Sequence, residues 1–366
     1  MTELEALLLE QLESYGPVTF AAFQDTALYH PEYGYYSQAV ERSGWGGDFL
    51  TSAELDPAFG AMWAVAFRRT WESLGGPDEF EVVEIGPGEG GFAQSVLDAV
   101  GGDFAAALSY RLVERLPKLV ERQMARLSAF DNVVWSSSIE EVAGIEAGCV
   151  FANEVLDNLP VHLLEQRDGS LVELFVAAEG HELVLRPGPL SDPALEDLVT
   201  AAGLHLDDGH RIEVGLAAID FTRAAARAVR RGSVVMVDYG ITWAELDQRP
   251  SGTLLSYSSS GTDEDFLDRP GEKDITSHAN WDLVRSALES EGCRVTGPTP
   301  QAQVLRDLGL GELEDSFAAS HRELAAAGRG AEAVRALSRH QALGALSDPH
   351  GLGGLEVLRG SKGVYG

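Results

Sequence analysis

The stretch of this chain best suited to chemistry is Glu84-Ile85-Gly86-Pro87-Gly88-Glu89-Gly90. It follows the apolar run Phe80 to Ile85 and opens a helical pattern from Gly91 to Ala99, so its glycines stand where backbone can approach a ligand without side chains in the way. The helix aims free N–H groups and its positive dipole end at that spot, which suits a carboxylate or a phosphate. Because Gly91 follows Gly90, the run also spells G-x-G-x-x-G. The glycines alone therefore leave two cofactor classes open, a nicotinamide dinucleotide and S-adenosylmethionine. Glu84 favours the second, since a carboxylate there would repel a pyrophosphate but hold the ammonium of a methionine moiety. Glu114, closing the next strand, can accept hydrogen bonds from both ribose hydroxyls and serves either class. No Lys or Arg lies in the turn, which argues against a P-loop or a 2′-phosphate site. Glu84, Gly86, Pro87, Gly88, Gly90 and Glu114 are thus the cofactor-binding candidates; a turn that binds nothing is the bland alternative.

A second group follows an apolar strand pattern at Phe151-Ala152, where Asn153, Glu154 and Asp157 sit at the carboxyl end. That edge of a doubly wound sheet is where ligands bind. Methyl transfer from a sulfonium asks the protein to position an acceptor, exclude water and, for nitrogen, help remove a proton. Two carboxylates can pair with the planar fork of a guanidinium and leave one nitrogen facing the methyl group. Glu154 is the leading candidate, because Asn153 and Asp157 are equally suited to capping the next turn. His278, after a Thr-Ser pair, is placed to accept a proton, although a polar-loop histidine often only makes local hydrogen bonds. Asp238 ends another strand and has the same two readings. The remaining histidines lack metal-ligand spacing, so no metal is expected.

Composition narrows the classes. The chain has 366 residues, 58 of them acidic against 27 basic, for a net charge of −31. That sign opposes nucleic-acid binding and attracts basic or arginine-bearing partners, or merely confers solubility. No apolar run reaches the roughly 20 residues of a membrane helix, and Met1 to Gln11 carries glutamates instead of the basic and apolar parts of a signal peptide. A cytoplasmic address without membrane insertion is the expectation. Cys149 and Cys293 are too few for a disulfide framework.

Strands and helices must position these groups. Strands are expected at Phe80 to Ile85, Tyr110 to Val113, Val133 to Trp135, Cys149 to Ala152 and Val234 to Val237, with helices between most of them, which is the pattern of a parallel α/β sheet. Helices are also expected over Thr2 to Tyr15, Phe59 to Leu74, Pro117 to Leu127, Val214 to Arg231, Trp281 to Ser290 and Ser316 to Leu346, with a final strand at Leu355 to Arg359. Tyr29 to Thr51 and Ser251 to Thr262 read as loops. Turn pairs Asp168-Gly169 and Glu179-Gly180 divide three strand patterns into an antiparallel meander. The expected division is 1–76 as a helix, lid loop and helix, and 77–366 as the core, with insertions at about 160–212 (meander) and 306–350 (helical).

With these residues assembled, the chain resembles the MidA-type methyltransferases, which include a mitochondrial assembly factor that modifies an arginine of a respiratory complex I subunit. The resemblance rests on an ordered set: Tyr33-Gly34-Tyr35-Tyr36, Gly47-Asp48-Phe49-Leu50-Thr51-Ser52, Glu84 to Gly90, Ala152-Asn153-Glu154 with Asp157 and Leu159-Pro160-Val161, Asp238-Tyr239-Gly240, Gly252-Thr253-Leu254, and Pro270 to His278. It implies a class I, Rossmann-like, doubly wound and mostly parallel sheet with an inserted meander and an N-terminal helical cap. It further implies S-adenosyl-L-methionine as cofactor and an arginine of a protein partner as acceptor, a complex I subunit by family. Carried onto matching positions, Asp48 and Thr51 belong to a loop closing over the cofactor, Asn153 borders it, and Glu154 and Asp157 face the acceptor. Asn158 departs from the small residue usual in its motif. The other functions consistent with these residues are a small-molecule methyltransferase lidded by Tyr29 to Phe49, a cofactor-binding assembly factor without turnover, and, last, a nicotinamide oxidoreductase. A dimer is possible.

Overall fold

A computed structural model describes residues 1–38, 51–142, 144–258 and 261–363. The chain forms two compact units, each discontinuous in sequence. The sheet unit comprises Leu50–Glu154, Arg223–Tyr239 and Leu288–Gly366; the meander unit comprises Met1–Phe49, Val155–Thr222 and Gly240–Ala287.

The sheet unit contains β1 (Phe80–Ile85), β2 (Leu108–Val113), β3 (Val133–Ser136), β4 (Ile145–Asn153), β5 (Val229–Asp238), β6 (Arg294–Pro300) and β7 (Glu356–Lys362). Their order across the sheet is β3-β2-β1-β4-β5-β7-β6. The five strands from β3 to β5 are parallel, while β7 runs antiparallel to both β5 and β6. Helix α1 (Ala58–Ser73) places Phe59, Trp63 and Phe67 at i, i+4 and i+8, a single face. That face meets Phe92 of α2 (Gly91–Ala99) and Phe151 of β4, whose rings stack 4.7 Å apart. This aromatic core stiffens the carboxyl ends of β1 and β4, where the chemistry-bearing residues emerge; truncating Phe151 to alanine would cost about 3–5 kcal/mol.

In the meander unit, Ser170–Glu179 is the central strand. It pairs antiparallel with His162–Arg167, Glu182–Gly188 and Val18–Thr19, and Arg211–Val214 extends the sheet beyond His162–Arg167. Asp168 and Gly169 both take positive φ, 50° and 78°, the geometry of a two-residue hairpin turn matched to strand twist. Glu3–Tyr15 is capped by Thr2 and Glu5 in a reciprocal box. Its Leu4, Leu8 and Leu12 share one cluster with Phe20, Phe23, Leu174 and Val176.

Three sequence expectations need correction. The helix expected over 214–231 spans only Leu216–Ala228, because Val214 pairs with His162 and Val229 pairs with Ile145 in sheets. Sheet partners distant in sequence end the helix where apolar periodicity continues. Within 251–262, expected as loop, Leu255–Ser258 and Gly261–Asp263 form strands, and Asp274–Thr276 supplies the third strand that stabilises them. The alanine-rich stretch is two helices, Leu310–Ala326 and Gly330–Leu346, separated at Gly328, whose φ is 73°.

Candidate active site

In the sheet unit β1 and β4 are direct neighbours with Ile85 level with Ala152, so the glycine turn and the Asn153-Glu154 pair leave the sheet side by side. Gly86, Gly88 and Gly90 have φ of 66°, 52° and 79°, in the left-handed region that favours glycine. A Cβ on Gly88 would meet nothing within 4 Å, so the turn presents bare backbone to open space. The Pro87 carbonyl closes the turn by accepting the Gly90 N–H at 2.8 Å.

Three acids surround this edge. Glu84 is buried and accepts a 2.8 Å hydrogen bond from the Tyr110 hydroxyl. Tyr110 is level with Val82, two residues before Glu84, so the pleat puts both side chains on one face. Burial pushes Glu84 up to about 8, with the Tyr110 hydroxyl pulling the other way. Glu114 accepts the Leu116 N–H at 2.8 Å and Gln123 Nε2 at 3.3 Å; burial outweighs both and lifts it to about 7. Gln123, fully buried in α3 (Pro117–Arg126), also donates to the Gly88 carbonyl at 2.7 Å and accepts from Trp135 Nε1 at 3.1 Å. One amide thus joins the glycine turn, Glu114 and β3.

Glu154 takes a φ of 52°, uncommon for a residue with a side chain, and its N–H donates to the Val237 carbonyl at 2.8 Å. Its Oε1 accepts Asn153 Nδ2 at 2.8 Å and the Ser52 N–H at 3.2 Å. Burial raises it to about 7, against the Asn153 bond and with Asp238 and Glu54 adding repulsion. Two buried acceptors here, Asn153 Oδ1 and Glu54 Oε2, have no hydrogen-bond partner among the described residues. Thr51 precedes the short helical turn Ser52–Leu55 without capping it through its side chain. Asp48 lies outside the described residues.

Asp157 and His278 belong to the meander unit. Asp157 lies in the 3-10 turn Leu156–Asn158, and its carbonyl accepts the Ser277 N–H at 2.9 Å. Asn158 Nδ2 donates to Asp274 at 2.8 Å, and the Tyr36 hydroxyl lies 2.9 Å from both Asp274 and Asn158 Oδ1. Burial first, then Asp274, holds the Tyr36 hydroxyl well above its ordinary range; burial, then Asp157 and Asp274, raises Tyr257. Motifs 33–36, 157–161 and 270–278 thus meet in one acidic, tyrosine-walled patch. The His278 N–H donates to Thr253 Oγ1 at 3.0 Å, and burial, then Arg249, pushes its ring down, so it is neutral at pH 7.

Sequence reasoning missed Glu54, Tyr110, Gln123, Trp135, Tyr257 and Asp274. Gln123 carried a legible signal: it interrupts the stripe Leu119, Gln123, Leu127, where a polar residue on an apolar helix face needs buried partners. Asp274 carried only its place within the Pro270 to His278 motif, and Glu54 had no signal beyond being an acid in a short helical turn.

The model of a family described as S-adenosyl-L-methionine-dependent methyltransferases matches residues 62–299. The chain belongs to this family. A solved structure from Burkholderia thailandensis, bound to S-adenosyl-homocysteine, shares 27% identity and superposes with a TM-score of 0.85 over 99% of this chain and 92% of that one. Relatives include the protein arginine methyltransferase NDUFAF7, mitochondrial, of Danio rerio, 26% identical over 83% of this chain and 76% of its own length. Its homolog from Drosophila melanogaster is 27% identical over 85% and 76%. The fold is therefore that of an α/β methyltransferase, and the chain is a methyltransferase that uses S-adenosyl-L-methionine.

The expected cytoplasmic address is overturned by these relatives, which bear the names of mitochondrial proteins. No helix among the described residues is long and apolar enough to cross a membrane. The sheet-unit residues fit the cofactor: an ammonium, a sulfonium and two ribose hydroxyls would supply positive charge and donors to a bare turn, two buried acids and one half-buried acid with raised pKa values, and two acceptors without a partner among the described residues.

Proposed function

We propose that this methyltransferase transfers the methyl group to an arginine nitrogen of a protein partner, with Glu154 as the acid that meets the acceptor. The observation that carries the reading is the state of Glu154: half-buried, held in a left-handed backbone, its pKa raised to about 7, and adjacent to two acceptors without a partner among the described residues. The names of the relatives support arginine as the acceptor, and the family resemblance points to a complex I subunit. In finer detail, we read the sheet as the class I, Rossmann-like arrangement.

The cofactor supplies an electrophilic methyl group on a sulfonium. Glu84 orients the ammonium of its methionine end, Glu114 accepts from the ribose hydroxyls, and Gly86, Pro87, Gly88 and Gly90 give it a surface of bare backbone. Asn153 borders both cofactor and acceptor, and Thr51 belongs to the segment flanking them. Glu154 accepts hydrogen bonds from the guanidinium and takes the proton that the nitrogen loses as it gains a methyl. Asp157 adds negative charge for the cationic substrate. His278 is the lesser candidate of the set, its ring neutral at pH 7 and so free to accept a proton.

Incubation of the full chain with methyl-labelled cofactor and a set of arginine-containing proteins tests this. Label should appear on arginine nitrogen and vanish with Glu154→Gln. Label on lysine, on a small molecule, or undiminished in that variant would overturn it.

A further inference from the structure

The opposite end of the sheet carries a second recessed surface. A depression of about 720 Å³ is lined by Arg227, Arg230, Arg294 and Lys362 with Glu291 as its one acid. Four cations to one anion reverses the ratio of the whole chain, which has 58 acidic residues to 27 basic. The cations are held in place: Arg227 pairs with Glu291 at 2.6 Å, and Lys362 Nζ donates to the Ala226 carbonyl at 2.6 Å, at the negative end of helix Leu216–Ala228. Arg230 makes only a long 3.3 Å pair with the exposed Glu146, and Arg294 has no ion-pair partner among the described residues. Beside them, Arg231 Nε is buried without a hydrogen-bond acceptor, its nearest carboxylate being Glu146 at 3.5 Å, and its stem lies 3.1 Å from where a Cβ on Gly363 would stand. Gly292, also in the wall, would carry a Cβ into open space. The wall thus combines four cations with a stretch of bare backbone at Gly292.

We infer that this depression is a binding site for a phosphate-bearing small molecule, separate from the cofactor edge. Val229 begins β5 and Asp238 ends it, so the two sites lie roughly 30 Å apart along one strand. Arginine forks match phosphate oxygens in pairs, and Ser361 in the wall adds a hydroxyl donor. In a chain this acidic, a phosphoanion is repelled from most of the surface and concentrated where the local sign reverses.

Inorganic pyrophosphate is the probe. Titrated by calorimetry into the full chain at low salt, it should bind saturably at one site, with affinity falling as salt rises. Sulfate at equal ionic strength should bind more weakly. The double variant Arg230→Gln/Arg294→Gln, both side chains exposed, should bind pyrophosphate about tenfold more weakly or worse while its affinity for S-adenosyl-L-methionine is unchanged, which also shows that it folds. No saturable binding to the wild type, equal binding of sulfate, or equal binding by the variant would each overturn the inference.

Discussion

In the meander unit Glu165 and Glu173 are buried beside basic side chains, whereas in the sheet unit the buried Glu84 and Glu114 and the half-buried Glu154 accept hydrogen bonds from neutral donors. Burial alone would push Glu165 up, but Arg211 at 2.8 Å and Arg167 at 2.6 Å outweigh it and hold it below the ordinary carboxylate range. Glu173 follows the same rule, with His162 at 2.8 Å and the Ser191 N–H at 2.6 Å. In the sheet unit Arg115 only partly offsets burial at Glu114, no cation among the described residues offsets it at Glu84 or Glu154, and Glu84, Glu114 and Glu154 rise to about 8, 7 and 7. A carboxylate that serves the fold arrives with its cation; one that serves a ligand is kept protonatable until the ligand brings the positive charge. Glu213 marks the boundary between these classes. Burial raises it too, yet Thr253 N–H, Leu254 N–H and Thr253 Oγ1 occupy it, and a Cβ on Gly252 would stand 2.1 Å from its carboxylate. The Gly252-Thr253-Leu254 motif is thereby explained as a clasp on a structural acid.

The sharpest way to break the comparison is Glu154→Gln, which keeps the shape and removes the titrating group. It should lower kcat about a hundredfold or more with cofactor affinity changed little. In the wild type the rate should climb as pH rises through about 7, where Glu154 ionises, and the variant should lose that limb. A variant as fast as wild type would place Glu154 among the structural acids.

Glu84→Gln comes next. The folded state keeps the Glu84 proton between the ordinary pKa of 4.5 and about 8 while the unfolded chain has lost it, so stability falls as pH rises across that window. The variant should flatten that slope in thermal melts. It should also bind S-adenosyl-L-methionine about 10- to 100-fold more weakly at pH 8.5, the loss of one charged hydrogen bond of about 1.5–3 kcal/mol. Calorimetry in buffers of different ionisation enthalpy should show less proton release on binding than in the wild type. Unchanged affinity would remove Glu84 from the cofactor.

The converse arm is Glu165→Gln. It should cost about 1–2 kcal/mol of stability, at the low end for a buried pair because Arg167 and Arg211 are themselves nearly half exposed, and leave cofactor affinity alone. A depressed folded pKa contributes stability above the unfolded value that is lost as pH falls through the folded one, so the variant should be less sensitive than wild type to acid below about pH 4.5.

The glycine turn, Glu84, Glu114 and the strand ends were legible because local patterns determine them: an apolar run of one strand's length, then glycines, then a helix. The α/β architecture was legible for the same reason. What stayed hidden depends on distant pairing. The strand Leu255–Ser258 forms only because Asp274–Thr276 lies against it, and nothing in a run of serines and a tyrosine announces that partner. Gln123 reaches Trp135 and Glu114 across three elements, and Glu54 becomes notable only because no donor among the described residues meets its Oε2. The basic depression was invisible as well, since Arg227, Arg294 and Lys362 come from three separate segments of a chain whose overall charge points the other way.

His278 gives the smallest expected effect and the finest cut between the two classes. Its ring is driven down by burial and Arg249, with Glu245 only partly compensating, so at pH 7 it is already neutral and can accept a proton without first losing one. Its backbone N–H, however, is tied to Thr253 Oγ1, the hydroxyl that also serves Glu213, which binds the residue into the same structural clasp. If the clasp is its main duty, His278→Gln, which keeps that backbone bond, should leave kcat within about threefold of wild type, the range of an ordinary substitution. Because a lowered histidine pKa makes the folded state bind fewer protons than the unfolded chain, wild-type stability should drop as pH falls below about 6.5, and the variant should drop less. A hundredfold loss of kcat with an unchanged melting temperature would instead make the ring a proton acceptor in the transfer, and the division between acids of the fold and groups of the site would then cross both units.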